Sequence, residues 1–455
     1  MARNIGLVAA FEEEQALAEV EAVQVEGVIE DGDNLETHVG DMVEAEGSVD
    51  AELQNIDDGV QASDELEAHQ DIMEGSLENG GMDETAAQVV EVAIESIRNR
   101  LGMSRKMTMP ALESFGAKSN RVQATRLAME ELPKFLKTIW DAIKNAFKKV
   151  SDWIKSFWIK LTDGVKALGQ RAEKLKAAVE ALGKKKITDK EVSASSFGSH
   201  IATTKGATPE IISNAFKKLL ACVQGSKALA AESKAMMVGF TDLTGFVDSE
   251  DNFDKAKVTI SKTAAFVKKA TVNNSESGAE EAVSEELSGG VVFAQTFGKG
   301  SAGINTFELI SRLKLQVMPA PGKVTPVEKM ATLSTDQMKD LINTTLDIVK
   351  AIEATKPVAE EIVGLRNKFD AAIEKVSTSA KSLVDNAKDA GTVGKALVGN
   401  KDAGVKAREI AIRKALININ KYSNSIVTVI NGRGVTTGKR VLDYVGASIS
   451  AYGDK

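Results

Sequence analysis

The chain carries its charge in two blocks of opposite sign, and no other feature constrains its folding as much. Residues 1–100 contain 27 Asp or Glu against 3 Arg, a net of −24, and no lysine occurs before Lys106. The remainder holds 54 basic and 38 acidic side chains, a net of +16, so the overall charge of −8 conceals the division. A single globular domain normally intersperses both signs over its surface, so the step marks a boundary between two parts of the protein. An acidic, partly disordered tail is the common outcome of such a composition. This one nevertheless keeps regular apolar positions, as in Ala18-Glu19-Val20-Glu21-Ala22-Val23-Gln24-Val25, which permit transient or partner-dependent helices. Phe11 is its only aromatic before Phe115, so an independent core is not expected.

At 455 residues the chain is long enough for several domains and a sizeable core. Aromatics make up only 5% and there are seven prolines, while Ala, Val, Lys and Glu dominate, a balance that favours helices over a β-sandwich. The single cysteine, Cys222, excludes an intrachain disulfide and a multi-cysteine metal site. It lies in Lys218-Leu219-Leu220-Ala221-Cys222-Val223, which reads as a helix with the thiol as a small buried hydrophobe. His38, His69 and His200 are far apart and lack partners at ligand spacing. No apolar run is long enough to span a bilayer, and the apolar stretch ending at Phe11 runs straight into Glu12-Glu13-Glu14, which argues against a secretion signal. Gly298-Lys299-Gly300 lacks the spacing of either nucleotide fingerprint and reads as a hairpin turn. With no nucleophile triad, paired-acid constellation or phosphate cradle, the expectation is a protein that is not an enzyme and takes no cofactor or metal.

Between Asp83 and Leu101 the set Val90, Ile94, Ile97, Leu101 recurs at helical steps, with acids at the start, Arg98 and Arg100 near the end, and Gly102 beyond. The stretch from Met103 to Gly116 follows, containing Pro110, just where the charge changes sign; it reads as an accessible, extended linker. In it, Ala111-Leu112-Glu113 before Ser114 resembles the small-x-Glu site, cut after Glu, of prohead proteases of giant phiKZ-like phages. Ala128-Met129-Glu130 is a second match. A small residue two before a Glu recurs elsewhere, as at Ser76-Leu77-Glu78, so position carries the argument. A cut after Glu113 removes 28 acidic and 5 basic residues and leaves a body of net +15. In layout, and over residues 85–185, the chain resembles the internal head proteins of these tailed phages. The resemblance implies a virion protein inside the capsid, made in the host cytoplasm and matured by a prohead protease that discards an acidic propeptide. It further implies other capsid or inner-body proteins and packaged double-stranded DNA, bound without sequence preference, as partners.

From Leu132 an apolar stripe runs through Ile139, Ile143, Phe147, Val150, Ile154, Phe157, Leu161 and Val165 to Leu182 at three-, four- or seven-residue steps. Phe135, Trp140, Phe147, Trp153, Phe157 and Trp158 form its candidate contact face. Lys137, Lys144, Lys148, Lys155 and Lys160 belong to the opposite, basic face, and residues 134–186 carry a local net of +9. Three readings fit this pattern: packing on the rest of the body or on copies of itself, insertion into a membrane interface, and phosphate neutralisation on DNA. Gly164 and Gly169 are expected to divide the stripe into two helices.

Farther on, Thr208-Pro209-Glu210 opens a helix to about Val223, with another over Ala228–Val238. Residues 291–297 and 304–318 read as strands around a glycine turn. Ser334-Thr335-Asp336-Gln337 has capping-box spacing at the head of a helix that should stop at Pro357. Further helices follow, with Asn431-Gly432-Arg433-Gly434 as the last turn. The expected fold is therefore mainly α: helical bundles, a small β-hairpin module, and a disordered or loosely helical acidic N-terminus. The expected divisions are an acidic propeptide (1–113), a basic amphipathic helical segment (114–186), an α+β middle domain (187–330) and a C-terminal helical bundle (331–455). A virion structural protein is the leading functional class. The alternative is a membrane-active or host-targeted effector using the Trp/Lys helix.

Overall fold

The computed structural model describes residues 17–103, 107–239, 267–268, 279–298, 307, 310, 313–389 and 395–453. It is mainly helical with a few small antiparallel strand pairs. The chain divides into two compact units, one formed by Ala45–Ser156 and the other by Met1–Glu44 with Phe157–Lys455. Two long helices, α1 (Leu17–Glu78) and α4 (Lys118–Ala181), contribute to both.

In the smaller unit, α1 and α4 are joined by α2 (Glu84–Arg100) and the one-turn α3 (Glu113–Gly116). The caps of α2 are those its sequence calls for. Asp83 accepts from the Ala86 amide at 2.8 Å, and Gly102, at φ +61°, ends the helix with Met103 N–H donating to the Arg98 carbonyl at 3.0 Å. That backbone closure needs a left-handed residue, which glycine adopts without a Cβ penalty. Ala87, Val90, Ile94 and Ile97 are buried. Along α1, Ala45, Val49, Ile56, Gly59, Ser63, Leu66 and Met73 are buried at steps that keep one side of the helix inward. Gly59 admits close approach of α4, since a Cβ there would lie 2.7 Å from Cγ1 of Ile143.

The expected break of α4 at Gly164 and Gly169 does not occur. Its buried positions explain why: Ala124, Phe135, Ala146, Phe157, Leu168 and Val179 recur every eleven residues, as do Ala128, Ile139, Val150, Leu161 and Ala172, and Leu132, Ile143, Ile154 and Val165. Eleven residues make just over three whole turns, so the stripe stays on one side for the whole helix. Each glycine costs only about 1 kcal/mol against alanine, and the packed stripe offsets it. A Cβ on Gly164 or Gly169 would lie 3.5 Å from Val435 or Val349, so both sit against neighbouring helices.

The larger unit centres on α6 (Pro209–Gly239), α7 (Thr335–Asp389), α8 (Lys395–Ser425), a π-helical segment (Ile426–Asn431) and α9 (Gly432–Ile449). The two helices expected between 208 and 238 are one. The Ser334 box forms reciprocally: Gln337 N–H donates to Ser334 Oγ at 3.3 Å, and Ser334 N–H donates to Gln337 Oε1 at 2.9 Å. Contrary to expectation, α7 passes through Pro357. Buried Ile352 before it and Ala359 and Ile362 after it hold the helix against a proline cost of roughly 3 kcal/mol. The expected final turn at Asn431–Gly434 is also helical. A Cβ on Gly434 would come within 3.2 Å of Val223 and one on Gly438 within 3.0 Å of Leu168, so these glycines serve close packing and not a chain reversal.

The sheet module is an antiparallel meander of β3 (Val267–Lys268), β4 (Ala279–Ser284), β5 (Val291–Gly298) and β6 (Lys314–Pro319), following β1 (Lys186–Ile187), β2 (Glu191–Ser193) and the one-turn α5 (Gly198–Ile201). β5 lies where the sequence places it and β4 is an addition to the expected pair; of the second expected strand, β6 covers residues 314–318, and most of 304–312, like the turn at 299–303, lies outside the described residues. Phe293 pairs with Val317 and is fully buried. Gln295 donates to the Tyr422 hydroxyl at 2.7 Å, tying the sheet to α8. β7 (Lys329–Ala331) pairs with β2 and β8 (Tyr452–Gly453) with β1.

Candidate processing junction and charge interface

At the junction, residues 107–111 have no regular structure, with Thr108 and Ala111 exposed and Met107, Met109 and Pro110 half-buried. The proposed scissile bond lies just beyond, inside α3. Ser114 N–H donates to the Ala111 carbonyl at 2.8 Å and Phe115 N–H to the Leu112 carbonyl at 2.9 Å. Ala111 and Glu113 are exposed and Leu112 and Ser114 half-buried, while Phe115 is fully buried. Arg121 holds the turn from outside, its Nε donating to the Phe115 carbonyl at 2.7 Å and a terminal nitrogen to the Gly116 carbonyl at 3.1 Å. A protease reading Ala111-Leu112-Glu113 therefore has one turn to unwind. The second match differs: Ala128 is buried, Met129 half-buried and Glu130 exposed, all within α4. Cutting there demands opening a continuous helix.

The side chains of the candidate contact face divide. Phe135 and Phe157 are buried, Trp140 and Trp158 half-buried, and Trp153 is 40% exposed. Ile159, at 65% exposure, is also outward. Lys137 and Lys155 are exposed, Lys155 lying 3.9 Å from Asp152. Lys160 donates to the Asp41 carbonyl at 3.2 Å. The side chains of Lys144, Phe147 and Lys148 lie outside those described.

Within each unit, acids of α1 meet cations of the later sequence. In the smaller unit Glu52 accepts from Lys149 at 3.1 Å, and Glu65 receives a two-pronged grip from Arg100 at 2.7 and 3.1 Å. The hydrogen bond from Arg100 is the main cause that lowers the Glu65 pKa. In the larger unit Glu36 bonds Lys439 and is gripped by Arg440 at 3.1 and 3.3 Å. Asp443 completes the group, 3.0 Å from Lys439 and 2.7 Å from Arg171. Partial burial acts to raise the Glu36 pKa, but the Lys439 hydrogen bond and the charges of Lys439 and Arg440 outweigh it and hold the carboxyl below its ordinary range. These residues escaped the sequence reading. The i, i+4 spacing of Lys439 and Asp443 was visible, but nothing in it points to an acid near the start of the chain.

Cys222 is buried and free, and burial pushes its thiol up to about 12. Among the described residues no group of three or more His, Cys, Asp or Glu is placed to hold a metal ion, and no helix is long and apolar enough to cross a membrane.

Long helices, a short acidic block, a longer basic one and a one-turn helix near their boundary define a mainly helical protein with its charge divided along the chain. Against family models the chain matches phiKZ-like phage internal head proteins over residues 15–447, and it belongs to that family. Its place is thus inside the phage head, as a structural component among the proteins of the capsid interior. Searches of curated proteins and of solved structures return no match.

Proposed function

We propose that the chain is a precursor whose acidic segment 1–113 is removed by a prohead protease cutting after Glu113, and whose basic remainder then associates with packaged DNA. The observation that carries this reading is the coincidence of the charge step with a one-turn helix that leaves Ala111 and Glu113 exposed. Before cleavage, Glu36 and Glu52 neutralise cations in their respective units, so the precursor presents less positive charge than the product. After cleavage a body of net +15 binds phosphates by counterion release, without sequence preference and with steep salt dependence. The body is then free to leave the head with the genome. Loss of α1 also uncovers α4 where Ile143 meets Gly59, giving neighbouring inner-body proteins an apolar face to cover.

The N-terminal residue of the chain recovered from mature particles tests the proposal. Ser114 is the expected first residue; Glu131 would move the cut to the second match, and a chain retaining the acidic block would refute processing. The alternative, a membrane-active effector, draws on the outward Trp153 and Ile159. Binding of the processed protein to liposomes but not to DNA would favour it.

A further inference from the structure

The group around Lys439 contains three cations, Arg171, Lys439 and Arg440, against two carboxylates, Asp443 and Glu36. Lys439 and Arg171 are only 4% and 7% exposed at the side chain, and Nε of Arg171 has no acceptor among the described residues. The position is built for more negative charge than Asp443 alone supplies, because a buried cation is costly unless paired. α9 supplies Lys439, Arg440 and Asp443, and α4 supplies Arg171. Only Glu36 comes from the acidic block. Its two oxygens lie on the two terminal nitrogens of Arg440, a fork that accepts a carboxylate or a phosphate in the same planar geometry.

We infer that Lys439 and Arg440, backed by Arg171, form a phosphodiester-binding site for packaged DNA, and that Glu36 fills it in the precursor. The inference rests on the proposed removal of residues 1–113, since that removal vacates the site. DNA is the favoured occupant because the product is strongly cationic and lies inside the head, where a dense polyanion is packaged.

The test uses the full-length chain and a short mixed-sequence DNA duplex, with binding followed by fluorescence anisotropy at moderate salt. Glu36→Gln removes the intramolecular occupant's charge, and Asp41→Asn, on the same helix, changes the net charge equally. The expected result is duplex binding tightened about fivefold by Glu36→Gln and less than about twofold by Asp41→Asn, with the gain lost when Arg440→Gln is added. Equal effects of the two single variants, or a gain that survives Arg440→Gln, would overturn the site. So would binding of inorganic phosphate by Glu36→Gln at matched ionic strength that is tighter than its binding of the duplex, which would identify a free-phosphate site. If mature particles retain residue 36, the processing reading fails whatever the anisotropy shows; if they begin at Ser114 and Glu36→Gln has no effect, the site alone fails.

Discussion

α1 and α4 are nearly equal in length, 62 and 64 residues, yet they are held in different ways. α4 buries Phe135, Phe157, Leu161, Leu168 and Leu175 in an unbroken stripe and keeps lysines outside it. α1 buries no aromatic among its described residues; its inward side chains include Leu35, Val39, Met42, Ala45 and Val49, and its acids reach Lys149, Lys439 and Arg440. One helix is anchored mainly by apolar area, the other by a thinner apolar seam supplemented by charge. The two anchorages respond differently to conditions, because charge pairs weaken with salt and acid while a packed aromatic core does not.

The largest effect expected is at the core of α4. Phe157→Ala leaves a cavity at a fully buried site and should cost about 3–5 kcal/mol, seen as a lower urea midpoint for the larger unit. Met42→Ala, at an equally buried position on α1, should cost about 2–5 kcal/mol but act locally, raising hydrogen exchange of α1 well before the rest opens. If Met42→Ala lowers the global midpoint as much as Phe157→Ala, the two helices are equally integral and the contrast is broken.

A smaller effect is expected where the helices touch in the smaller unit. Gly59→Val pushes new atoms into Ile143, whose Cγ1 would lie 2.7 Å from even the first added carbon, and should cost about 1–3 kcal/mol. Ile143→Ala in the same chain should recover part of that loss by making room, measured by denaturant titration of both variants. Without such recovery, the two residues are not energetically coupled.

The helical class, the caps at Asp83, Gly102 and Ser334 and the stripe of α4 were legible because each is a local or periodic signal. The sequence suggests breaks at Gly164, Pro357 and Gly432 that the fold does not make, for one shared reason: propensity costs of about 1–3 kcal/mol are outweighed when both flanks of the helix are packed. For the acidic stretch, the apolar positions were visible but their partners were not. Leu35, Val49 and Ile56 are ordinary side chains in an acidic sequence, and only the tertiary arrangement shows that they are buried. The charge step shows in the sequence, whereas the one-turn helix across Glu113 depends on Phe115 finding a core. The Glu36 pair spans 404 residues and left no sequence signal at all.

Acid should loosen α1 through Glu36, and the sign follows from its depressed folded pKa. The ordinary value is 4.5, so the stabilisation is fully present above that and is lost as pH falls through the lower folded value. His200 acts earlier. Partial burial, then the nearby charges of Arg440, Arg433 and Lys439, lower its pKa below the ordinary 6.5, while Glu36 opposes them. A histidine shifted down contributes stability above 6.5 that fades as pH falls toward its folded value. Hydrogen exchange of α1 against α9 should thus change little between neutral pH and the His200 window, then rise first slightly and later, below pH 4.5, more strongly for α1. Glu36→Gln should abolish only the second rise and move the His200 titration further down, since a carboxylate favouring the imidazolium is gone. An unchanged His200 titration in that variant would mean that Glu36 does not hold its place among these cations in solution, and the charge-held description of α1 would then rest on its pairs in the smaller unit, Glu52 with Lys149 and Glu65 with Arg100.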